Sequence, residues 1–302
     1  MLVRGDTLQI ILESWFLQHV VLNGRPFTLE DDIARITDQV VVYVEVWEPQ
    51  HRIVDQLIAQ GNAVILLQLG DEVLEKFDRS LYEKCRFVLR NYFYPVVFDD
   101  PLLYARLFWI PNGFRSGVGP RHASHLRRAS ERRQFARFMG WLANANSFNN
   151  ERVHFREAAL RSTSLLQTSQ TGGFSAGASP ALYAALMEDA IYAPCPGGNS
   201  IETIRLYDCL ELGCIPIVTN AAYLEDPRAL ADAPFPKIND WCELPALLDE
   251  LWQTSLKTPE STDALQQACI QWWRGVKSNT SGIVESLIKR ATMFNTFGSL
   301  TK

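Results

Sequence analysis

Between Tyr192 and Asn220 the sequence reads YAPCPGGNSIETIRLYDCLELGCIPIVTN. An apolar run ends in Pro194-Cys195-Pro196-Gly197-Gly198, and two adjacent glycines let a backbone loop lie close against a ligand. Asn199 is a good N-cap, and Glu202 three residues later completes a capping-box spacing. The spacing predicts a helix that runs to Leu212 and stops at Gly213. A glycine loop that opens a helix turns free N–H groups and the positive end of the helix dipole toward an anion such as a diphosphate. Arg205 and Asp208 are three residues apart and share one helix face, so a cation for phosphate and an acid for sugar hydroxyls sit together. The same residues also spell an ordinary capped helix with a surface ion pair.

Other residues that could do chemistry are more scattered. Asp99-Asp100 superficially resembles a metal-binding acid pair, but Pro101 follows it directly. Asp31-Asp32 reads as acids in the first turn of a helix after Thr28. His19, His51, His122, His125 and His154 form no cluster along the chain, and the six cysteines contain no C-x-x-C pair, so a structural zinc site is not expected. Reduced cysteines are expected, with a Cys209–Cys214 bridge as the alternative for a secreted domain. No G-x-S-x-G elbow, Walker loop or G-x-G-x-x-G is present, which removes the commonest hydrolase, NTPase and dehydrogenase readings.

The elements that must position these residues alternate between strand and helix. Strands are predicted at Gln39 to Trp47, Ala63 to Leu69, Arg86 to Tyr94 and Leu103 to Ile110, with a helix from Pro49 to Gln60. AVILLQL at Ala63 to Leu69 is nearly continuous apolar sequence, as in a strand buried on both faces. The character changes from Arg115 to Ser130, and six arginines fall between Arg121 and Arg137. That run reads as a solvated linker, with contact to a phosphate or a membrane surface as the alternative. A second series follows: strands at Phe135 to Gly140, Ser164 to Thr168, Ile191 to Ala193 and Ile215 to Val218. Helices are expected at Asn149 to Leu160 and Ala181 to Met187, a loop at Gly172 to Ala178, and a mostly helical tail. Two consecutive series imply two doubly wound α/β domains with ligand at the carboxyl ends of the strands.

Over 302 residues, 29 basic against 34 acidic side chains give a net charge of −5, which argues against bulk nucleic-acid binding. No apolar run reaches the length of a membrane span, and the N-terminus lacks a signal-peptide core, so a cytoplasmic protein is expected.

The run TIRLYDCLELGCIPI, from Thr203 to Ile217, resembles the donor-binding signature of exostosin-type glycosyltransferases. That family reads S-x-R-L-W-E-A, three variable residues, then G-C-I-P-V, preceded by a C-P-x-G loop. Arg205, the acid at 208, Gly213-Cys214-Ile215-Pro216 and Cys195-Pro196-x-Gly198 fall in register. Thr203, Asp208 and Cys209 replace Ser, Glu and Ala, and Ser200 stands where many GT-B transferases carry a first acid. Tyr183-x-x-x-Met187 and Phe138-Met139-Gly140 followed by Arg152 resemble the family's order of segments.

The resemblance implies a GT-B fold, with two Rossmann-like domains facing a cleft and a last helix crossing back. The expected divisions are an acceptor-side domain over 1–120, a nucleotide-sugar domain over 121–280, and a crossing helix over 281–302. It implies an inverting transferase that moves sugar from a nucleotide donor, UDP-linked by expectation, to a glycan acceptor in polysaccharide biosynthesis. Donor-side residues would be Gly140, Arg152, Pro196, Gly197, Gly198, Asn199, Ser200, Thr203, Arg205 and Asp208. An inverting transfer needs a base, and Asp71 and Glu72, directly after the Ala63 to Leu69 strand, are the candidates, with Glu45 and Glu48 in reserve. Arg90 would keep that base ionised or steer the substrate. No metal or other cofactor is expected, since helix N–H groups and Arg205 would stabilise the leaving diphosphate. The alternatives are a fucosyltransferase-like enzyme using a GDP-sugar, and a non-catalytic module that binds nucleotide sugar or glycan.

Overall fold

The computed structural model describes residues 2–3, 12–25, 28–29, 33–46, 50–144, 147–173 and 177–298. Glu48, Asp31 and Asp32, three of the acids singled out above, lie outside the described residues. The chain forms two compact units, one of Met1–Asn112 with Lys277–Lys302, the other of Gly113–Val276.

The first unit is built on a six-stranded parallel sheet. Its strands are β1 (Leu2–Val3), β2 (Thr28–Leu29), β3 (Val40–Glu45), β4 (Ala63–Gln68), β5 (Phe87–Arg90) and β6 (Leu107–Trp109), in the order β2-β1-β3-β4-β5-β6. β3 and β4 pair in register from Val40↔Ala63 to Glu45↔Gln68, and five residues of each are buried. Such two-sided burial is why both read as unbroken β-branched and aliphatic sequence. Between them α1 (His51–Ala59) turns Val54 and Leu57 inward. α2 (Arg79–Lys84) starts at Asp78, whose side chain accepts from the Leu81 N–H.

Two strands are shorter than the sequence predicts. β5 ends at Arg90 because Tyr92 takes a φ of +55°, outside the extended region. The expected strand from Leu103 keeps only Leu107–Trp109, because the Asp100 carboxylate accepts from the Leu102 N–H and winds the preceding residues into turns. Pro95–Phe98 forms α3, a single turn ahead of this loop.

The second unit carries a five-stranded parallel sheet. β7 (Gln134–Gly140), β8 (Leu166–Gln170), β9 (Ala190–Pro194), β10 (Ile215–Thr219) and β11 (Lys237–Ile238) lie in the order β11-β10-β9-β7-β8. The helices between them are α4 (Glu151–Arg161), α5 (Pro180–Met187) and α6 (Ile204–Glu211); α7 (Leu244–Lys257) follows the sheet. From β7 the chain winds outward to β8, then crosses back to place β9 on the other side of β7. The gap between β7 and β9 is thus the switch point, where a doubly wound sheet leaves a crevice at its carboxyl edge. Phe138, Phe155 and Trp241 pack in series on one face, with ring centroids 4.7 and 5.0 Å apart. Phe135 packs edge-on against Tyr192 and Trp252.

α8 (Pro259–Gly298) starts in the second unit and ends in the first. In the second unit its Trp273 donates to the Glu211 carboxylate at 2.7 Å. In the first, Ser281 donates to the Val20 carbonyl at 2.7 Å, Val284, Leu287 and Ala291 are buried, and Arg290 lies 4.8 Å over the Phe87 ring. No helix among the described residues is long and apolar enough to cross a membrane.

α6 corrects one expectation and meets another. It starts at Ile204 with Thr203 as N-cap, so the capping box of Asn199 and Glu202 does not form. Glu202 is used elsewhere: its carboxylate accepts from the Tyr207 hydroxyl at 2.5 Å and its N–H donates to the Ser200 hydroxyl at 3.3 Å. Residues 199–202 therefore extend the loop. At the other end Gly213, at φ +69°, closes the helix as predicted. The Cys214 N–H bonds to the Cys209 carbonyl and the Gly213 N–H to the Leu210 carbonyl, which is a Schellman motif.

Candidate anion-binding site

The carboxyl edge of the second sheet, at its switch point, gathers most of the predicted donor residues. α4 enters through Asn149 and Asn150, both in the left-handed region that asparagine tolerates. That entry puts Glu151 and Arg152 in the first turn, buried beneath the glycine loop. The Gly197 N–H donates to the Glu151 carboxylate at 3.2 Å, and Arg152 Nε donates to the Gly197 carbonyl at 2.5 Å. Two consecutive side chains thus grip both polar groups of one peptide residue. A Cβ at Gly197 would stand 3.1 Å from the Ser200 carbonyl and 3.2 Å from Glu151 Cγ, so the grip leaves little room for a side chain. Glu151 also accepts from the Thr219 hydroxyl at 3.0 Å and Trp241 Nε1 at 2.6 Å, tying the loop to the end of β10.

Arg205 projects from the first turn of α6 toward the end of β7. Its Nε donates to the Met139 carbonyl at 3.1 Å, and a Cβ at Gly140 would collide with the guanidinium. Gly140 is therefore the space in which Arg205 lies. Arg152 and Arg205 share the Phe138 ring, with guanidinium carbons 5.7 and 5.2 Å from its centroid. Arg152 also donates to the Trp141 carbonyl at 3.2 Å.

Neither guanidinium is ion-paired with a carboxylate among the described residues. Burial first, then the charge of Arg205, push the Arg152 guanidinium well below its ordinary value, against the opposing pull of Glu151; burial also lowers Arg205, against Asp208. Both guanidiniums keep their protons, and an added anion would relieve that burial.

The remaining donor-side residues divide. Gly198 and Asn199 reach the surface of the loop, while Pro196, Ser200 and Thr203 are buried within it. Asp208 is not available to a ribose in this structure. It is fully buried, and its two oxygens take the Arg115 backbone N–H at 2.9 Å and Arg115 Nε at 2.6 Å. Burial pushes the Asp208 carboxyl up, and Arg115 works against that shift. Arg115 and Glu151 were missed in the sequence. The available signal was a charged residue on a helix whose neighbours Leu206, Tyr207, Cys209 and Leu210 are all buried, because an acid there requires a partner.

In the first unit, Asp71 and Arg90 form a buried ion pair at 3.2 Å, each nearly inaccessible. Asp71 Oδ1 also accepts from the Glu75 and Lys76 N–H groups. Arg90 also donates to the Tyr82 hydroxyl and the Asn91 carbonyl, and burial raises the Tyr82 hydroxyl to about 12. A carboxylate and a guanidinium committed in this way hold the loop after β4. Glu72 is partly exposed, and the contact recorded there uses its backbone carbonyl, which accepts from the Tyr94 hydroxyl. Glu45 is buried and accepts from the Tyr43 hydroxyl and the Val46 N–H.

Four of the six arginines in the run have acidic or backbone-carbonyl partners. Arg121 pairs with Glu188, Arg127 and Arg133 both pair with Asp189, and Arg132 is buried against the carbonyls of Ala190 and Leu212. Asp100 pairs with Arg79 at 3.0 Å. All six cysteines are free, Cys209 and Cys214 included.

No protein-family model matches the chain, and no curated protein sequence does. Solved structures do. An α,α-trehalose 6-phosphate synthase from Burkholderia multivorans superposes with a TM-score of 0.53 at 9% identity, over 89% of this chain and 73% of that one. The fold is that of the GT-B glycosyltransferases. A trehalose-phosphate synthase (UDP-forming) from Burkholderia xenovorans, in complex with glucose-6-phosphate, gives 0.51 at 10% identity over 86% and 76%. An OtsA apo structure gives 0.51 at 11% identity over 94% and 79%. At such identity the likeness is one of architecture, and it does not extend to the exostosin-type signature.

Proposed function

We propose that this chain is a glycosyltransferase that takes a nucleoside-diphosphate sugar, UDP-linked, in its second unit and transfers the sugar with inversion to a glycan hydroxyl. The observation that carries this reading is the Arg152–Arg205 pair. Two buried or half-buried guanidiniums share one aromatic ring at a switch-point crevice, and neither makes a direct ion pair with a carboxylate among the described residues. A diphosphate supplies the charge they lack, and the N-terminal N–H groups of α6 lie beside Arg205 to receive it. In the reaction the acceptor oxygen forms its bond to the anomeric carbon as the bond to the diphosphate breaks. The departing negative charge is stabilised by the two arginines. Protein donors do this work, so the reaction needs no metal and survives EDTA.

For the base, Glu72 replaces Asp71 as the better candidate, because its carboxylate has solvent access while Asp71 is locked to Arg90. Glu72→Gln should lower transfer by about 10²–10⁴-fold and leave donor binding intact.

A thermal-shift panel with UDP, GDP, ADP and their nucleosides tests the reading. Stabilisation by UDP alone, with slow release of UDP from UDP-sugars, supports it. Stabilisation by GDP alone moves the assignment to a GDP-sugar enzyme. Nucleotide binding without any donor hydrolysis or transfer points to a binding module, and no stabilisation by any nucleotide refutes the donor site.

A further inference from the structure

The Arg152–Arg205 pair has a third guanidinium beside it, held more firmly than either. Arg115 comes from the loop that opens the second unit, and its side chain is only 25% exposed. Three contacts fix it. Its backbone N–H and its Nε both bond to the fully buried Asp208, and its guanidinium carbon lies 4.2 Å from the centroid of the Tyr183 ring. Tyr183 is buried against it, and its hydroxyl has no hydrogen-bond partner among the described residues. Asp208 and Tyr183 between them hold the backbone, the Nε edge and one face of the guanidinium plane.

The two η nitrogens are left over. Among the described residues neither makes a hydrogen bond, although a guanidinium carries four N–H groups there. A surface tie to Asp208 would explain the Nε contact and nothing more. The arrangement matches a side chain preorganised to offer a flat pair of donors, the geometry that suits phosphate oxygens. Burial works against the Arg115 guanidinium, and Asp208 together with Tyr183 and Cys209 more than offsets it, so the net shift is upward. Arg205 and Asp208 stand three residues apart on α6, so the cation that Asp208 holds is presented from the same helix face as Arg205.

We propose that Arg115 is a third phosphate ligand of the nucleoside diphosphate, and that Asp208 serves by positioning Arg115 instead of by holding the ribose. The proposal rests on the donor-site reading above. It differs from that reading in one checkable respect, since it moves Asp208 from the sugar to the cation. An acid that gripped ribose would contribute equally to a nucleoside and its diphosphate. An acid that orients a phosphate ligand contributes only when phosphate is present.

The test is calorimetric titration of the full chain with UDP and with uridine, repeated with GDP and guanosine. Arg115→Gln alone would leave Asp208 buried and unpaired, so the main variant is Arg115→Gln with Asp208→Asn, which removes both charges and keeps neutral hydrogen-bonding groups of similar shape. Its affinity for the diphosphate should fall on the order of tenfold or more, with nucleoside affinity within about twofold of wild type. Asp208→Asn alone, with Arg115 present but less firmly held, should show a smaller loss of the same kind. Arg205→Ala serves as the reference for the donor site. If Arg205→Ala loses diphosphate affinity while the double variant keeps it, the Arg115 proposal is overturned and the donor-site reading stands. If the double variant loses nucleoside and diphosphate affinity equally, Asp208 holds the ribose and the proposal is again overturned. If wild-type protein binds neither UDP nor GDP, the donor-site reading and the proposal fall together.

Discussion

Two buried charge constellations sit at the carboxyl edges of the two sheets, and they are built on opposite principles. In the first unit Asp71 and Arg90 meet at 3.2 Å, and both are further satisfied by backbone and by Tyr82. Nothing there is left over. In the second unit Arg152 and Arg205 converge on Phe138, and their hydrogen bonds go to carbonyl oxygens. A balanced pair in a low-dielectric setting is self-sufficient and holds loops in place. A pair of like charges without a direct counter-ion has spare capacity for an anion, which is the basis of the proposed donor site. The Arg115–Asp208 pair combines both, with its acid fully spent and its cation half spent. Charge balance, more than burial, is what separates architecture from a ligand site here.

The comparison breaks most visibly at Asp71. Asp71→Asn leaves Arg90 buried without its counter-charge, which should cost about 3–5 kcal/mol of stability in urea unfolding. Glu72→Gln, one residue away, should cost almost none. A stable Asp71→Asn protein would mean the pair is not architecture. In the second unit the expected pattern is reversed. Arg205→Ala should lose about 1.5–3 kcal/mol of diphosphate binding, a tenfold to hundredfold weakening, while folding stability stays level or rises as an uncompensated cation is removed. Gly140→Ala, which pushes a Cβ into the Arg205 guanidinium, should give a weaker version of the same loss in the same titration.

The smallest effect belongs to an exposed pair, His51–Asp78, at 2.6 Å with side chains 43% and 41% exposed. The hydrogen bond from His51 first, and then others from Ser80 and Leu81, hold the Asp78 carboxyl down at about 2, against 3.8. A depressed carboxylate stabilises the fold above its unfolded value and loses that contribution as pH falls from 3.8 through about 2. Solvent screening keeps it below about 1 kcal/mol. The difference in stability between wild type and Asp78→Asn should therefore be small at pH 5 and vanish by pH 2. A difference that grew on acidification would contradict the assignment.

Much of this frame was legible in the sequence. The alternation of VVVYVE and AVILLQ with an amphipathic helix specified parallel strands, and Gly213 marked a helix end that forms as read. The glycine loop, Gly140, Arg152 and Arg205 were assigned to one site from a resemblance, and the structure brings them together. Less legible were the pairings that need a partner's identity. Asn199 and Glu202 have capping-box spacing, but Tyr207, one turn into the helix, takes the Glu202 carboxylate and delays the start to Ile204. Asp71 has the location of a base, yet location says nothing of Arg90, whose side chain arrives from a neighbouring strand. Asp208 and Arg205 share a helix face in sequence, while the cation that binds Asp208 lies 93 residues away. Long-range charge pairing leaves no local periodicity to read.

The account turns on whether the second unit's arginines read phosphate. The direct measurement is the affinity of UDP relative to uridine, in wild type and in a variant carrying Arg152→Gln and Arg205→Gln. The account predicts that wild type prefers the diphosphate by more than about a hundredfold and that the double substitution removes most of this preference, leaving only the share that Arg115 carries, while uridine still binds. A double variant that kept the wild-type preference for UDP would contradict it.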